Sequence, residues 1–128
     1  MATPKFLDGG PKKMLIGGEW VESASGKTFA TVNPATEEKL ADVYEGDQAD
    51  AERAVAAARK AFDEGPWRKM TASQRGQIVW RIGELIEENR EELAQLDCLD
   101  NGKPIFETQN VDTALAADIF KYLSLIHI

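Results

Sequence analysis

The sequence predicts a small β-meander followed by about four amphipathic helices. Three observations carry that expectation. Between Met14 and Tyr44, short β-branched and aromatic runs alternate with Gly-Gly, Ser-Gly and Asn-Pro breaks, which is how strands are punctuated. From Asp47 onward, apolar residues recur at the spacing of a helix with one buried face. The strands are too few to cover those faces, so the helices call for a further apolar surface.

Residues 1–13 contain Pro4, Gly9, Gly10 and Pro11 and have no periodicity. They read as a mobile N-terminal arm. Met14-Leu15-Ile16 and Glu19-Trp20-Val21 read as a hairpin, because Gly17-Gly18 permits positive φ at the turn. Thr28 to Val32 is β-branched and aromatic, so it reads as a strand. Asn33-Pro34 ends it, since proline cannot donate to a ladder. Lys39 to Tyr44 alternates and is the next strand, closed by Gly46.

Asp47 caps a first helix that runs to about Glu64. Its stripe is Ala51, Ala54, Val55, Ala58, Ala61 and Phe62, and Gly65-Pro66 stops it. Thr71, with Gln74 three residues on, is a capping box opening the second helix. That helix carries Ile78, Val79, Ile82, Leu85 and Ile86. A third runs from Glu91 to about Leu99. It ends at Asn101-Gly102, both tolerant of the left-handed conformation, and Pro104 forbids continuation. A fourth spans about Val111 to Tyr122, with Asp112 read as its N-cap.

Composition narrows the function. The chain has 128 residues, 43% hydrophobic and 29% charged, with a net charge of -7. That is a globular composition with one core's worth of chain. The acidic balance excludes a general nucleic-acid binder, which needs a basic face. No run approaches the ~18 apolar residues of a membrane span, and residues 1–13 lack the apolar core of a secretory signal. A cytoplasmic location is the expectation, and the lone Cys98 fits a reducing compartment.

A search for catalytic groups returns little. The sequence has no Gly-x-Gly-x-x-Gly, no P-loop and no Cys-x-x-Cys. His127 is the single histidine, so no His-based triad or two-His metal site is available. Cys98 sits between Leu96 and Leu99 beside Asp97 and Asp100. Acidic neighbours do not make a reactive thiolate, so Cys98 reads as a reduced packing or surface cysteine. Glu87-Glu88 and Glu91-Glu92 read as a solvated helix face. Arg75, Arg81 and Arg90 read as helix partners, Arg81 with Glu84 among them. Trp20, Trp67 and Trp80 read as anchors to the expected further surface.

Five blocks, taken in order, carry a resemblance. They are Ile16-Gly17-Gly18-Glu19-Trp20-Val21, Val32-Asn33-Pro34-Ala35-Thr36, Gly65-Pro66-Trp67-Arg68, Met70-Thr71-Ala72-Ser73-Gln74-Arg75-Gly76 and Leu99-Asp100-Asn101-Gly102-Lys103-Pro104. No block is specific alone. The ordered set, from Met14 to Tyr122, resembles the N-terminal segment of NAD(P)-dependent aldehyde dehydrogenases. Leu115 to Phe120 with Tyr122 is reminiscent of the phenylacetaldehyde- and betaine-aldehyde-type branches.

The resemblance implies an α/β parent with a Rossmann-like coenzyme domain. Residues 14–122 would form the outer, N-terminal part of that domain and act as scaffold. The parent would oxidise a small-molecule aldehyde to a carboxylic acid with NAD or NADP, as a homodimer or homotetramer. The family's Cys nucleophile, its Glu base, its oxyanion-binding Asn and its nucleotide turn all lie downstream. This segment therefore holds no catalytic and no cofactor-binding residue, and alone it is expected to be inactive. The resemblance also implies a K⁺ or Na⁺ site, with backbone oxygens of Thr31 and Val32 and the carboxylate of Asp112 among its ligands. The alternative is a stand-alone acidic helical interaction module without catalysis.

Residues 123–128 depart from the family pattern within one residue of Tyr122. Leu-Ser-Leu-Ile-His-Ile is also the translation of CTGTCTCTTATACACATC, a transposon end used in sequencing adapters. The hexapeptide therefore reads as a non-native tail.

Overall fold

The computed structural model describes residues 4–126. Residues 1–3 of the expected arm and 127–128 of the expected tail, His127 included, lie outside the described residues. The chain divides into two compact units. One comprises residues 7–32 and 38–69. The other comprises the segment ending at Phe6, residues 33–37, and the chain from Met70 onward.

In the first unit the four expected strands form as two separate antiparallel pairs. Strand β1 (Met14–Ile16) pairs with β2 (Glu19–Val21), Met14 opposite Val21. Gly17 and Gly18 make the turn at φ 64° and 89°, where any Cβ is strained. Strand β3 (Thr28–Val32) pairs with β4 (Lys39–Tyr44). Lys12 runs parallel to β4. Its N–H donates to Asp42 O at 2.8 Å, and its carbonyl accepts from Tyr44 N at 3.1 Å.

Helix α1 (Gln48–Glu64) opens on a capping box. The Asp47 carboxylate accepts from Ala49 N and Asp50 N, while Asp50 reaches back to Asp47 N. The expected Ala stripe of α1 is almost wholly exposed; the buried residue on this helix is Asp50.

The second unit is helical. Helix α2 (Ala72–Glu88) begins on the Thr71–Gln74 capping box, as the sequence predicts. Helix α3 (Arg90–Asn101) follows with one residue between, and Asn89 gives it no side-chain cap. Asn89 instead donates its amide to Leu85 O at 2.8 Å, closing α2. Gly102 adopts the left-handed conformation at φ 74°, whereas Asn101 stays helical.

The last helix differs from expectation. It starts at Ile105, not Val111, as a short α4 (Ile105–Glu107). A π-turn (Thr108–Asp112) follows, and then α5 (Thr113–Leu125). A π-turn inserts a residue into the helical ladder, which breaks the simple period and hides the join from pattern reading.

Helices α2 and α5 cross closely because both present small residues. A Cβ at Gly83 would lie 2.8 Å from Ala117 O. Among the described residues, the buried hydrophobic ones are Ala94 and Ala117. Ile78, Ile82, Leu85, Leu93, Leu115 and Ile119 remain exposed. Among the described residues, no helix is long and apolar enough to cross a membrane.

Candidate functional site

Thr31 and Val32 stand at an irregularity in the β3–β4 ladder. Thr31 lies opposite Ala41 but Val32 lies opposite Lys39, leaving Leu40 as the extra residue. Such a bulge interrupts the ladder and turns backbone groups away from it. The chain then leaves the strand at Asn33-Pro34. In the second unit, Asn33 Oδ1 accepts from Ala35 N at 2.9 Å and Asn33 O accepts from Glu37 N at 2.7 Å. That is an Asx-turn, and it ends with Glu37 at φ 62°.

Asp112 is the last residue of the π-turn. Its backbone is helical, at φ -65° and ψ -54°, and its side chain makes no capping bond. The N-cap reading from sequence is therefore corrected: the helix has already begun at Ile105, so no free N–H awaits a cap at Thr113. The carboxylate instead accepts from Lys103 Nζ at 2.5 Å.

Side-chain hydrogen bonds hold the π-turn. Arg90 Nε donates to Gln109 O at 2.7 Å. Thr113 Oγ1 donates to Thr108 O at 2.8 Å, and Thr108 Oγ1 donates to Ile105 O at 3.1 Å. The Lys103 ammonium is held above its usual pKa, chiefly by the hydrogen bond to Asp112 and against some desolvation.

Thr31 and Val32 belong to one unit and Asp112 to the other, so the structure describes the two parts of the expected cation site separately. The Asp112 part fits the chemistry: its carboxylate already receives a monovalent cation in the form of an ammonium, and carboxylate oxygen is the kind of hard donor that K⁺ or Na⁺ takes. The strand part lies at the register shift between Thr31 and Val32. Among the described residues, no cluster of three or more His, Cys, Asp or Glu is set to hold a metal ion.

The charged candidates and Trp80 have structural partners, and Cys98 does not take part in a disulfide. Cys98 is a free, half-buried thiol on α3. Glu84 and Glu88 pair with Arg81 at 3.0 and 2.7 Å, and Glu87 pairs with Lys121 at 2.6 Å. Arg81 holds the Glu84 carboxyl below its usual range. Glu92 accepts from Phe6 N at 2.9 Å. Arg75 donates to Met70 O at 2.6 Å, and Arg90 serves the π-turn, so neither is set aside for phosphate. Trp80 donates to Glu84 at 3.2 Å and lies under Lys121. Sequence reasoning missed Lys103, because its partner is set by an unforeseen π-turn. It also missed Asp50, whose signal was its place at the third position of α1.

The aldehyde dehydrogenase family model matches residues 20–125. DhaS of Bacillus subtilis is 52% identical over 117 residues, covering 91% of this chain and 23% of that protein. The NAD⁺ complex of aldehyde dehydrogenase from Bacillus cereus superposes with a TM-score of 0.90 at 46% identity, covering 93% of this chain and 24% of that one. Betaine aldehyde dehydrogenase from Staphylococcus aureus, in complex with NAD⁺, gives a TM-score of 0.87 at 42% identity, covering 90% and 23%. The chain thus spans about a quarter of the length of these relatives.

Proposed function

This chain belongs to the aldehyde dehydrogenase family, and from that premise we propose that it is the N-terminal, scaffolding part of an enzyme that oxidises an aldehyde to a carboxylic acid. The observation that carries the reading is the family match over residues 20–125, joined to a superposition that covers 93% of the chain on an NAD⁺-bound relative. Residues 14–122 are the segment that serves the coenzyme domain.

NAD⁺ is the favoured coenzyme, since the solved relatives are NAD⁺ complexes, with NADP⁺ the alternative. The bound nicotinamide would take the hydride that oxidation of the aldehyde releases. This segment's own part is mechanical. Its helices carry exposed Ile, Leu and Trp faces suited to a covering sheet, and a rigid scaffold keeps reacting groups in register. Thr31, Val32 and Asp112 would contribute to a K⁺ or Na⁺ site that braces the segment. Homodimeric or homotetrameric assembly and a cytoplasmic setting, which a single free thiol suits, complete the proposal. A phenylacetaldehyde- or betaine-aldehyde-like substrate is the class to try first.

The test is reduction of NAD⁺ and NADP⁺ by the full-length protein over a panel of aldehydes. Aldehyde-dependent NADH formation, unchanged in Cys98→Ser, is expected, and the 128-residue chain is expected to be inert. Activity abolished by Cys98→Ser would put the nucleophile in this segment and overturn the scaffold reading.

A further inference from the structure

We infer that Lys103 is a tethered cation that competes with K⁺ or Na⁺ for the carboxylate of Asp112. The inference rests on the cation reading above and adds a control to it. Lys103 Nζ donates to Asp112 Oδ2 at 2.5 Å across nine residues of chain. Two local features bring them together. The left-handed Gly102 and Pro104 turn the chain out of α3. The π-turn then re-aims residue 112 from where an unbroken helix would place it.

An ammonium and an alkali-metal ion carry the same single charge, and both are bound by hard oxygens. A carboxylate engaged by one has less field to offer the other. Asp97 and Glu107 add to the attraction for positive charge at Lys103. The pair is not sealed in, since the Lys103 and Asp112 side chains are 35% and 33% exposed. An incoming ion can therefore displace the flexible lysine into water instead of leaving a buried charge behind. The opposite role is also physically definite: a lysine that only held Asp112 in place would help the ion to bind. The two roles predict opposite signs for the same substitution.

The experiment titrates the thermal midpoint of the full-length protein with KCl, choline chloride holding ionic strength constant. Four proteins are compared: wild type, Lys103→Gln, Lys103→Arg and Asp112→Asn. Wild type is expected to be stabilised by K⁺, and Asp112→Asn to lose that response. Lys103→Gln should respond at roughly two- to fivefold lower K⁺, the range a partly exposed ion pair supplies. Lys103→Arg keeps the charge and should stay close to wild type. A Lys103→Gln protein that needs the same or more K⁺ overturns the competition. A wild-type protein indifferent to K⁺ overturns the cation reading itself, and the competition with it.

Discussion

Gly83 of α2 lies directly beneath Ala117 of α5, so close that a Cβ at position 83 would sit 2.8 Å from the Ala117 carbonyl oxygen and 2.9 Å from Lys121 Cγ. The lysine carbon can swing aside. The backbone oxygen cannot move without shifting α5. Gly83 and Ala117 are both buried, so this contact sets how closely the two longest-contacting helices approach.

Gly83→Ala is therefore expected to destabilise the full-length protein. Better helix propensity returns about 0.5–1 kcal/mol, but forcing helices apart costs about 1–3 kcal/mol. The urea midpoint should fall, and a rise would show that α5 yields easily.

Asp50 is the second position where one side chain holds a local arrangement. It is 2% exposed. Its two oxygens accept from Ala24 N at 3.1 and 3.0 Å, and from Asp47 N at 3.2 Å, with Arg53 alongside. One carboxylate thus caps α1 and clamps the turn before β3. Asp50→Ala should cost about 1–3 kcal/mol, because it leaves the Ala24 and Asp47 N–H groups without their shared charged acceptor. The fall in thermal midpoint should exceed that of Asp47→Ala, which removes the cap alone.

A third expectation concerns acid. Lys13, at 3.1 Å, and then Tyr44 hold the Glu22 carboxyl below its ordinary 4.5. A carboxyl lowered in the folded state contributes stability above its unfolded pKa and loses it as pH falls through the folded value. Wild type and Glu22→Gln should therefore differ near neutrality and converge as pH drops below about 4. Thermal midpoints measured across that range check it; a gap that widens on acidification would reverse the sign.

The strands and caps were legible because each has a local cause. Gly17-Gly18 permits the turn, Asp47 and Thr71 cap, and Gly102 stops α3. β3 ends before Asn33-Pro34, β4 ends before Gly46, and α2 starts after Thr71. The π-turn was not legible, since Thr108, Thr113 and Arg90 stabilise it through contacts that carry no period. The Lys103–Asp112 pair depends on that turn and was hidden with it. The expected cation site, Asp112 included, rests on resemblance alone; a backbone oxygen leaves no trace in residue type, and a lone Asp reads as a cap. The apolar stripes were read correctly as stripes, yet on α1 and α2 they face outward. A periodic pattern says that a face will be covered, not by what.

That exposure sets the last expectation, for the 128-residue chain expressed alone. Among the described residues its buried hydrophobic side chains are two alanines, while Ile78, Ile82, Leu85, Leu93, Leu115 and Ile119 are wet. Burial of each Leu or Ile is worth roughly 1.5–3 kcal/mol, and a whole domain is stable by only about 5–15 kcal/mol. Losing a handful of such burials removes the margin. The helices have their own support in two complete capping boxes and in exposed ion pairs along α1 and α2, so secondary structure can outlast packing. The isolated chain should show helical far-UV circular dichroism, weak near-UV signal, a shallow urea transition and self-association on size exclusion. A monomer with one sharp transition in both spectral regions would mean that these faces need no cover, and would return the segment to an autonomous module.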